Sequence, residues 1–236
     1  MIPKILMQRS RDPVPEYYKE QLSYNVPSSW KYENISNDEA FDWLTAHADH
    51  FPKFDIVTRY ERLFAFSAGY AVDYFRYLYL YIYGGFIMDD DAMLVEPIEE
   101  IVKDYDIITA VANKAHMYLN GFLGATPKNE VIYQCILHLQ NLKFYHAGES
   151  LQEPCIELKN AVEKYQDKYN CKVYDEIWSA DMINDYGIAF DSCNWTARHG
   201  FTGFTFDLDS KKMIMLHYAK KKIIPNPYEV PHYYAI

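Results

Sequence analysis

One stretch constrains the fold more than any other: a long apolar segment, two glycines, a short apolar segment and three aspartates follow one another. Over residues 67–83 apolar side chains recur at helical spacing, and although part of the run also alternates as a strand would, its length favours a helix. The glycines at 84 and 85 predict the end of that helix. Residues 86–88 leave room only for a short buried strand, so we expect the aspartates at 89–91 at its carboxyl end.

The remaining sequence indicates alternating strands and helices. We predict strands at 2–7, 30–33, 106–112 and 213–216, and helices at 16–24, 36–46, 129–142 and 149–169. Ser36 with Glu39 three residues later is a capping-box pattern. After Asp175 the sequence predicts irregular structure. This order favours an α/β fold with a mostly parallel central sheet, built as a single domain over residues 1–236.

The charge of the chain bears on which partners it can have. There are 33 acidic and 23 basic side chains, which give a net charge of −10. This balance argues against a nucleic-acid partner, which would require a basic surface. Lysines at 211–212 and 220–222 form the one basic run, which is typical of a solvated face but could also meet phosphates.

The cellular location is predicted from two features that the sequence lacks. No apolar run reaches the roughly 20 residues needed for a transmembrane segment. The four cysteines are scattered without a C-x-x-C pair, as expected of reduced thiols. These features predict a cytoplasmic location.

The aspartate cluster is the first candidate for chemistry. If the chain stays extended here, Asp89 and Asp91 point to the same side and form an anionic pocket that favours a cation. Mg²⁺ and Mn²⁺ prefer oxygen ligands and often use one or two carboxylates together with substrate phosphates. A solvated acidic turn is the alternative, but such a turn seldom follows an apolar strand this closely.

Asp73 and Arg76 are the second candidate. They lie three residues apart on the predicted helix and therefore share one face. One interpretation is a structural ion pair. The other is a guanidinium and a carboxylate that together grip sugar hydroxyls.

These two signals occur together in a recognisable pattern. The sequence reads AVDYFRYL at 71–78 and YGGFIMDDD at 83–91. It resembles the signature of the DXD-type sugar-binding glycosyltransferases (glycosyltransferase family 32), which include initiating mannosyltransferases and capsular polysaccharide synthesis enzymes. The opening IPKI at 2–5 and NGFLGA at 120–125 also resemble segments of that family.

The resemblance implies a GT-A type nucleotide-sugar-binding fold, Mn²⁺ or Mg²⁺ as cofactor, and transfer with retention of anomeric configuration. Because the sequence lacks the membrane anchor seen in the family's secretory-pathway members, the resemblance also implies a bacterial or virus-encoded cytoplasmic enzyme. It implies that residues 1–112 bind a nucleotide-sugar donor, a UDP- or GDP-sugar, and that residues 113–236 bind a glycan or other small hydroxyl acceptor. Tyr118, Trp178 and Trp195 suit stacking on the acceptor.

Site residues follow from the same resemblance. It implies that Asp73 and Arg76 hold the donor sugar and that Asp91 binds the metal, while Asp89 contacts the metal shell or the ribose. Asp90 belongs to the same donor-binding cluster. The resemblance further implies that Gln8 and Arg9, after the first strand, lie near the nucleotide.

The chain departs from the family pattern at both ends. MQRS at 7–10 stands where the family usually has His and often Trp, and HYAKKK at 217–222 replaces a histidine segment that ends in Ser-Trp. His217 is a candidate third metal ligand, although a lone histidine after an apolar strand is more often structural. The lysines at 220–222 could steady the diphosphate.

Two alternatives stay open at this point. A non-catalytic glycan- or nucleotide-sugar-binding homologue would keep the fold without turnover, and the altered C-terminal motif keeps this alternative open. A D-x-D phosphohydrolase would carry its aspartates early and have Thr or Ser soon after, whereas here Ala92 follows the cluster.

Overall fold

The structure, a computed structural model, describes residues 1–10, 14–112, 117–143, 152–178, 201–210 and 212–218. Its helices are α1 (Glu16–Asn25), α2 (Asn37–Ala46), α3 (Ile56–Phe66), α4 (Ala68–Tyr83), α5 (Ile98–Val102), α6 (Glu130–Asn141) and α7 (Glu153–Tyr165), with a short 3-10 turn at Ala48–His50. Its strands are β1 (Ile5–Arg9), β2 (Lys31–Ile35), β3 (Gly85–Met88), β4 (Ala92–Leu94), β5 (Ile107–Ala112), β6 (Met117–Tyr118), β7 (Phe122–Ala125), β8 (Cys171–Trp178), β9 (Phe201–Asp207) and β10 (Lys212–Tyr218).

The predicted helix and strand that lead to the aspartates are confirmed as α4 and β3. Gly84 and Gly85 separate them with φ angles of +65° and +109°, which glycine adopts far more easily than other residues. Space is also short, because a Cβ on Gly84 would lie 2.8 Å from the carbonyl oxygen of Ala125. The glycine pair therefore allows the chain to reverse from α4 directly into the sheet.

Capping residues mark the start of several other predicted helices. Ser36 and Glu39 form the predicted capping box at the start of α2, and such a cap contributes about 1 kcal/mol. Asn129 caps α6, where its side chain accepts a hydrogen bond from the N–H of Val131 at 2.9 Å. Pro154 lies in the first turn of α7, as predicted, although α7 ends at Tyr165, before the predicted end at residue 169.

The described strands form one mixed sheet in the order β2-β1-β3-β7-β5-β8-β9-β10-β4, with β6 beside β5. Only β1–β2, β1–β3 and β5–β8 pair in parallel, and the other six pairings are antiparallel. The predicted mostly parallel sheet is therefore wrong in this respect. The reason lies in the connections, because parallel neighbours require a crossover of a dozen or more residues and β5 and β7 are separated by nine.

A second correction concerns the C-terminal part of the chain. The prediction of irregular structure after Asp175 is wrong for residues 201–207, which form β9 between β8 and β10. Phe204 and Phe206 are buried in the core, and Gly203 interrupts the alternation that would have marked the strand.

Two layers of apolar side chains pack on the two faces of the sheet. The four residues of β3 are all buried, with Phe86 and Met88 in one cluster and Ile87 in the other. Helices α4, α6 and α7 cover the face that contains Ile87. Burial on both faces explains why β3 reads as a continuous apolar run rather than an alternating one.

The chain between β3 and β4 has an unusual course. Only three residues separate the two strands, yet β3 lies inside the sheet, whereas β4 lies at the far end of the strand order beside β10. These three residues are Asp89, Asp90 and Asp91. The sheet must therefore curl, and the aspartates lie where its two parts meet.

Candidate functional site

Helix α4 and strand β3 bring three predicted site residues into contact. Arg76 Nη1 lies 3.3 Å from Asp73 Oδ1 on the same face of α4, and Arg76 Nη2 forms an ion pair with Asp89 Oδ1. The side chains of Arg76 and Asp73 are only 8% and 13% exposed, whereas that of Asp89 is 36% exposed. The pair of residues predicted from the helical spacing is thus part of a three-residue charge network that leads from the interior to the surface.

The charges of this network depend on one another. Burial raises the pKa of Asp73 to about 6, although the positive charge of Arg76 and a hydrogen bond from Asn120 oppose the shift. Burial alone would lower the pKa of Arg76, but the carboxylates of Asp89 and Asp73 outweigh it and keep the guanidinium charged. The Nε–H of Arg76 is buried and has no hydrogen-bond partner among the described residues. A buried donor of this kind calls for an acceptor.

The aspartates themselves form a tight turn rather than an extended segment. The N–H of Ala92 donates to the carbonyl of Asp89 at 3.2 Å, and the N–H of Asp89 donates to the carbonyl of Gly121 at 3.0 Å. The expectation that Asp89 and Asp91 share a side because the chain is extended is therefore wrong. The chain must turn here because β4 pairs with β10 and does not continue the line of β3.

The turn nevertheless keeps its carboxylates close enough to repel one another. Asp90 and Asp91 are exposed at the surface. Partial desolvation of its carboxyl, followed by repulsion from Asp89 and Asp90, raises the pKa of Asp91 to about 6. A nearby cation would relieve this repulsion.

The donor set fits a hard divalent metal that is shared with a ligand. Among the described residues no group of three or more His, Cys, Asp or Glu side chains is arranged to hold a metal ion by itself. Mg²⁺ and Mn²⁺ do not require such a cage, since they commonly bind one or two carboxylates together with substrate phosphates and water. Asp89 and Asp91 suit that mode of binding.

His217 lies beside this cluster. In the pairing of β10 with β4, His217 stands opposite Ala92, the residue after Asp91. Burial lowers the pKa of His217, while the charge of Asp89 acts in the opposite direction, so the neutral imidazole is favoured. Its Nε2 lies 3.8 Å from Glu176 Oε1. The structure thus brings His217 to the aspartates, and its role as a metal ligand stays a prediction.

Comparison with known proteins locates a related region in the same part of the chain. Residues 14–108 match the sequence model of a family described as "Glycosyltransferase sugar-binding region containing DXD motif". The match covers less than half of the chain, but it includes α4, β3 and the aspartate turn. The chain therefore contains a region similar to the sugar-binding region of glycosyltransferases.

A solved structure entitled "PaToxG Glycosyltransferase" is similar with a TM-score of 0.48 and 15% sequence identity, over 71% of this chain and 70% of that chain. None of the curated proteins compared matches the sequence.

Gln8 and Arg9 lie at the end of β1 and are buried, so they are not open to a ligand. Gln8 is 0% exposed, and its Nε2 donates to the carbonyl of Asp89 at 2.9 Å. Arg9 is 5% exposed and donates to the carbonyls of Ile35 and Ser36. Burial lowers the pKa of Arg9. Both side chains therefore support the sheet beneath the site, and nucleotide contact by either stays a prediction.

Asn120 and Gly121 have places in the site that the sequence did not assign to them. Asn120 is 3% exposed and accepts a hydrogen bond from the hydroxyl of Tyr77 at 2.5 Å, next to Asp73. Gly121 lies so close to Asp89 that a Cβ there would be 1.8 Å from Oδ2. The signal available was the NGFLGA segment, but a sequence alone does not show that it packs against the aspartates.

The remaining predicted residues concern the acceptor and the diphosphate, and their roles stay predictions. Tyr118 lies on β6 and faces Glu163 and Lys159 of α7. Trp195 and the lysines at 220–222 lie outside the described residues, as does the side chain of Trp178.

In the described ranges, no helix combines the length and apolar character needed to cross a membrane.

Proposed function

We propose that this protein is a metal-dependent glycosyltransferase. It transfers a sugar from a UDP- or GDP-sugar to a hydroxyl group of a glycan or another acceptor. The observation that carries the proposal is the charge network in which buried Arg76 joins Asp73 to Asp89, directly beside the exposed carboxylate of Asp91. The similarity of residues 14–108 to a glycosyltransferase sugar-binding region supports the same conclusion.

Asp89 and Asp91 would hold Mn²⁺ or Mg²⁺, with His217 as a third ligand. When bound, the metal would neutralise charge on the diphosphate as it departs from the sugar. The raised pKa of Asp91 supports this assignment, because mutual repulsion among the aspartates is what a cation would remove. A site on a turn also leaves open positions for phosphate oxygens and water.

Arg76 and Asp73 would hold the donor sugar. A guanidinium offers several donors in a fixed fork, and two of its nitrogens are occupied by Asp73 and Asp89. The unpartnered Nε–H and the free lone pairs of Asp73 are then suited to sugar hydroxyl groups. Because Arg76 is fixed on both sides, it would orient the sugar without having to reorganise.

The resemblance to family 32 extends the proposal to stereochemistry, with retention at the anomeric carbon. We assign no enzymic nucleophile. Residues 113–236 would supply the contacts to the acceptor. This part of the proposal rests on the sequence pattern and is separate from the donor site.

The experiment that tests the proposal is donor hydrolysis over a panel of UDP- and GDP-sugars with Mn²⁺. We expect release of nucleotide from one donor, abolished by EDTA and by Asp91→Asn. Asp49→Asn is the matched control, because Asp49 is an exposed aspartate on the short 3-10 turn, 40 residues before Asp89 in the sequence. This variant should leave the rate of hydrolysis unchanged.

The same panel separates the alternatives. Binding of Mn²⁺ and nucleotide without turnover, even with glycan acceptors added, would indicate a non-catalytic nucleotide-sugar-binding homologue. Release of inorganic phosphate from the nucleotide itself would indicate a phosphohydrolase. No binding of metal or nucleotide would contradict the assignment of the aspartate turn.

A further inference from the structure

Three polar side chains, two of them buried and one partly buried, lie beneath the aspartate turn, and none of them is part of the charge network. They are Gln8 at the end of β1, Tyr18 in α1 and Tyr32 in β2. Gln8 is 0% exposed and Tyr18 is 6% exposed. A side chain amide so deeply buried is costly unless all of its hydrogen-bonding groups are satisfied.

The amide of Gln8 is satisfied at each of its groups. Its Nε2 donates to the hydroxyl of Tyr18 at 2.8 Å and to the carbonyl of Asp89 at 2.9 Å. Its Oε1 accepts from the hydroxyl of Tyr32 at 2.8 Å. Because each bond requires a particular orientation, the three together fix the plane of the amide.

Tyr18 carries the connection to the other end of the turn. Its hydroxyl accepts from Gln8 and donates to the carbonyl of Ala92. The carbonyls of the first and last residues of the Asp89–Ala92 turn are therefore both held from below by one continuous chain of hydrogen bonds. The side chains that hold them come from elements at least 74 residues away along the sequence.

We propose that Gln8, Tyr18 and Tyr32 are positioning residues that preset the Asp89–Ala92 turn, so that Asp89 and Asp91 are held ready for a divalent cation. None of the three touches the cation or the nucleotide. In its metal-binding part the inference rests on the proposed function.

The position of the turn explains why such support is required. A segment of three residues must leave β3 inside the sheet and enter β4 at the other end of the strand order. Two of the three, Asp90 and Asp91, are exposed and repel their neighbours. Ordering a mobile turn at the moment of binding would consume part of the binding free energy, and a turn that is already held avoids this loss.

Gln8 thereby acquires a role different from the nucleotide contact that the family resemblance implies. Its three hydrogen bonds already occupy the buried amide, so Gln8 acts by holding the turn, and a nucleotide contact would require one of these bonds to break. The adjacent Tyr32 remains a donor, because burial and then the charge of Asp90 raise the pKa of its hydroxyl.

Tyr18→Phe tests the proposal, because it removes one hydroxyl and keeps the ring. Hydrogen exchange of the backbone amides of Asp89 and Ala92 is measured without metal, and Mn²⁺ affinity is measured by electron paramagnetic resonance with UDP or GDP present. We expect hydrogen exchange at the turn to accelerate at least about tenfold. We expect Mn²⁺ affinity to fall about tenfold, which is the lower end of the effect of losing a residue that orients a metal ligand.

Tyr74→Phe is the matched control. It removes the hydrogen bond from a fully buried tyrosine of α4 to Gln140 Oε1, 2.6 Å long, in the helical layer. It should leave exchange at Asp89 and Ala92 and the Mn²⁺ affinity as in the wild type. Tyr32→Phe provides a second variant, with the same expectation as Tyr18→Phe.

The outcomes separate this inference from the proposed function. Exchange at the turn that is as slow in Tyr18→Phe and Tyr32→Phe as in the wild type would overturn the inference. Faster exchange with unchanged Mn²⁺ affinity would overturn its metal-binding part. A wild-type protein that binds no Mn²⁺ would overturn the proposed function instead, while faster exchange in the variants would still support the role of the three residues in holding the turn.

Discussion

Arg76, buried on α4, forms an ion pair with Asp89, the first residue after β3. The two residues lie on elements that the Gly84-Gly85 reversal places side by side. The same guanidinium also contacts Asp73 at 3.3 Å, so one positive charge serves two carboxylates. The interior of the protein is thereby linked through charge to the turn that carries Asp91.

Loss of Arg76 should destabilise the protein as well as disable the site. Arg76→Met would leave Asp73 buried without a counter-charge, and removal of one partner of a buried ion pair typically costs about 3 kcal/mol. We expect a fall of that size in the free energy of unfolding, measured by urea titration. Arg62→Met is the control, since Arg62 is exposed on α3, and it should change stability by less than about 0.5 kcal/mol. Equal stability of the two variants would contradict a stabilising role for the charge network of Asp73, Arg76 and Asp89.

Gly121 should be essential to the geometry of Asp89. Gly121→Ala would place a methyl group 1.8 Å from the present position of Oδ2, so the carboxylate must move. We expect Mn²⁺ affinity to fall by at least about tenfold. Gly69→Ala is the control. Gly69 lies in helix α4, and the nearest atom to a new Cβ there would be Ser67 Oγ at 3.6 Å, so the methyl group has room. That variant should keep the affinity and gain roughly 0.5–1 kcal/mol of stability. Unchanged affinity in Gly121→Ala would rule out Asp89 as a metal contact.

Stability should decrease with rising pH through the titration of Asp73. Its pKa is raised from 3.8 to about 6 in the folded protein, so the folded state holds the proton more tightly than the unfolded chain. Between about pH 4 and 6 the wild type should therefore lose stability relative to Asp73→Asn, which cannot ionise, by on the order of 2 kcal/mol. Urea titrations of both proteins at each pH, with EDTA present, measure this difference.

Asp55 provides a control of opposite sign for that pH series. It caps α3, and hydrogen bonds from Thr58 lower the pKa of its carboxyl. The contribution of Asp55 to folding stability is therefore present above the pKa of an unfolded aspartate and is lost as the pH falls through its lowered pKa in the folded protein. Asp55→Asn should therefore come closer to wild-type stability as the pH falls. A pH-independent difference between Asp73→Asn and the wild type would contradict burial of an ionisable Asp73.

The sequence predicted well where a pattern is local. The spacing of apolar residues over 67–83, the glycines and the short strand were sufficient for α4 and β3, because helix caps and reversals depend on neighbouring residues. The pairing of Asp73 with Arg76 followed from helical geometry for the same reason. Helix α3 was missed, although its N-cap Asp55 was a usable signal.

The sequence predicted poorly where the fold depends on distant partners. The insertion of β7 between β3 and β5 and the position of β4 beside β10 arise from pairings that no local pattern records. For that reason the sheet is mixed, and the aspartates form a turn. The burial of Gln8 beneath Asp89 depends on the same long-range arrangement, since their contact spans 81 residues.

The proposed metal site depends above all on whether the aspartate turn binds Mn²⁺. Free Mn²⁺ is measured by electron paramagnetic resonance as wild type, Asp91→Asn and Asp49→Asn are titrated, each with and without UDP or GDP. We predict that the wild type and Asp49→Asn bind one Mn²⁺, more tightly with one of the nucleotides, and that Asp91→Asn loses this binding. Equal binding by wild type and Asp91→Asn, or no binding by either, would contradict a metal site at the aspartate turn.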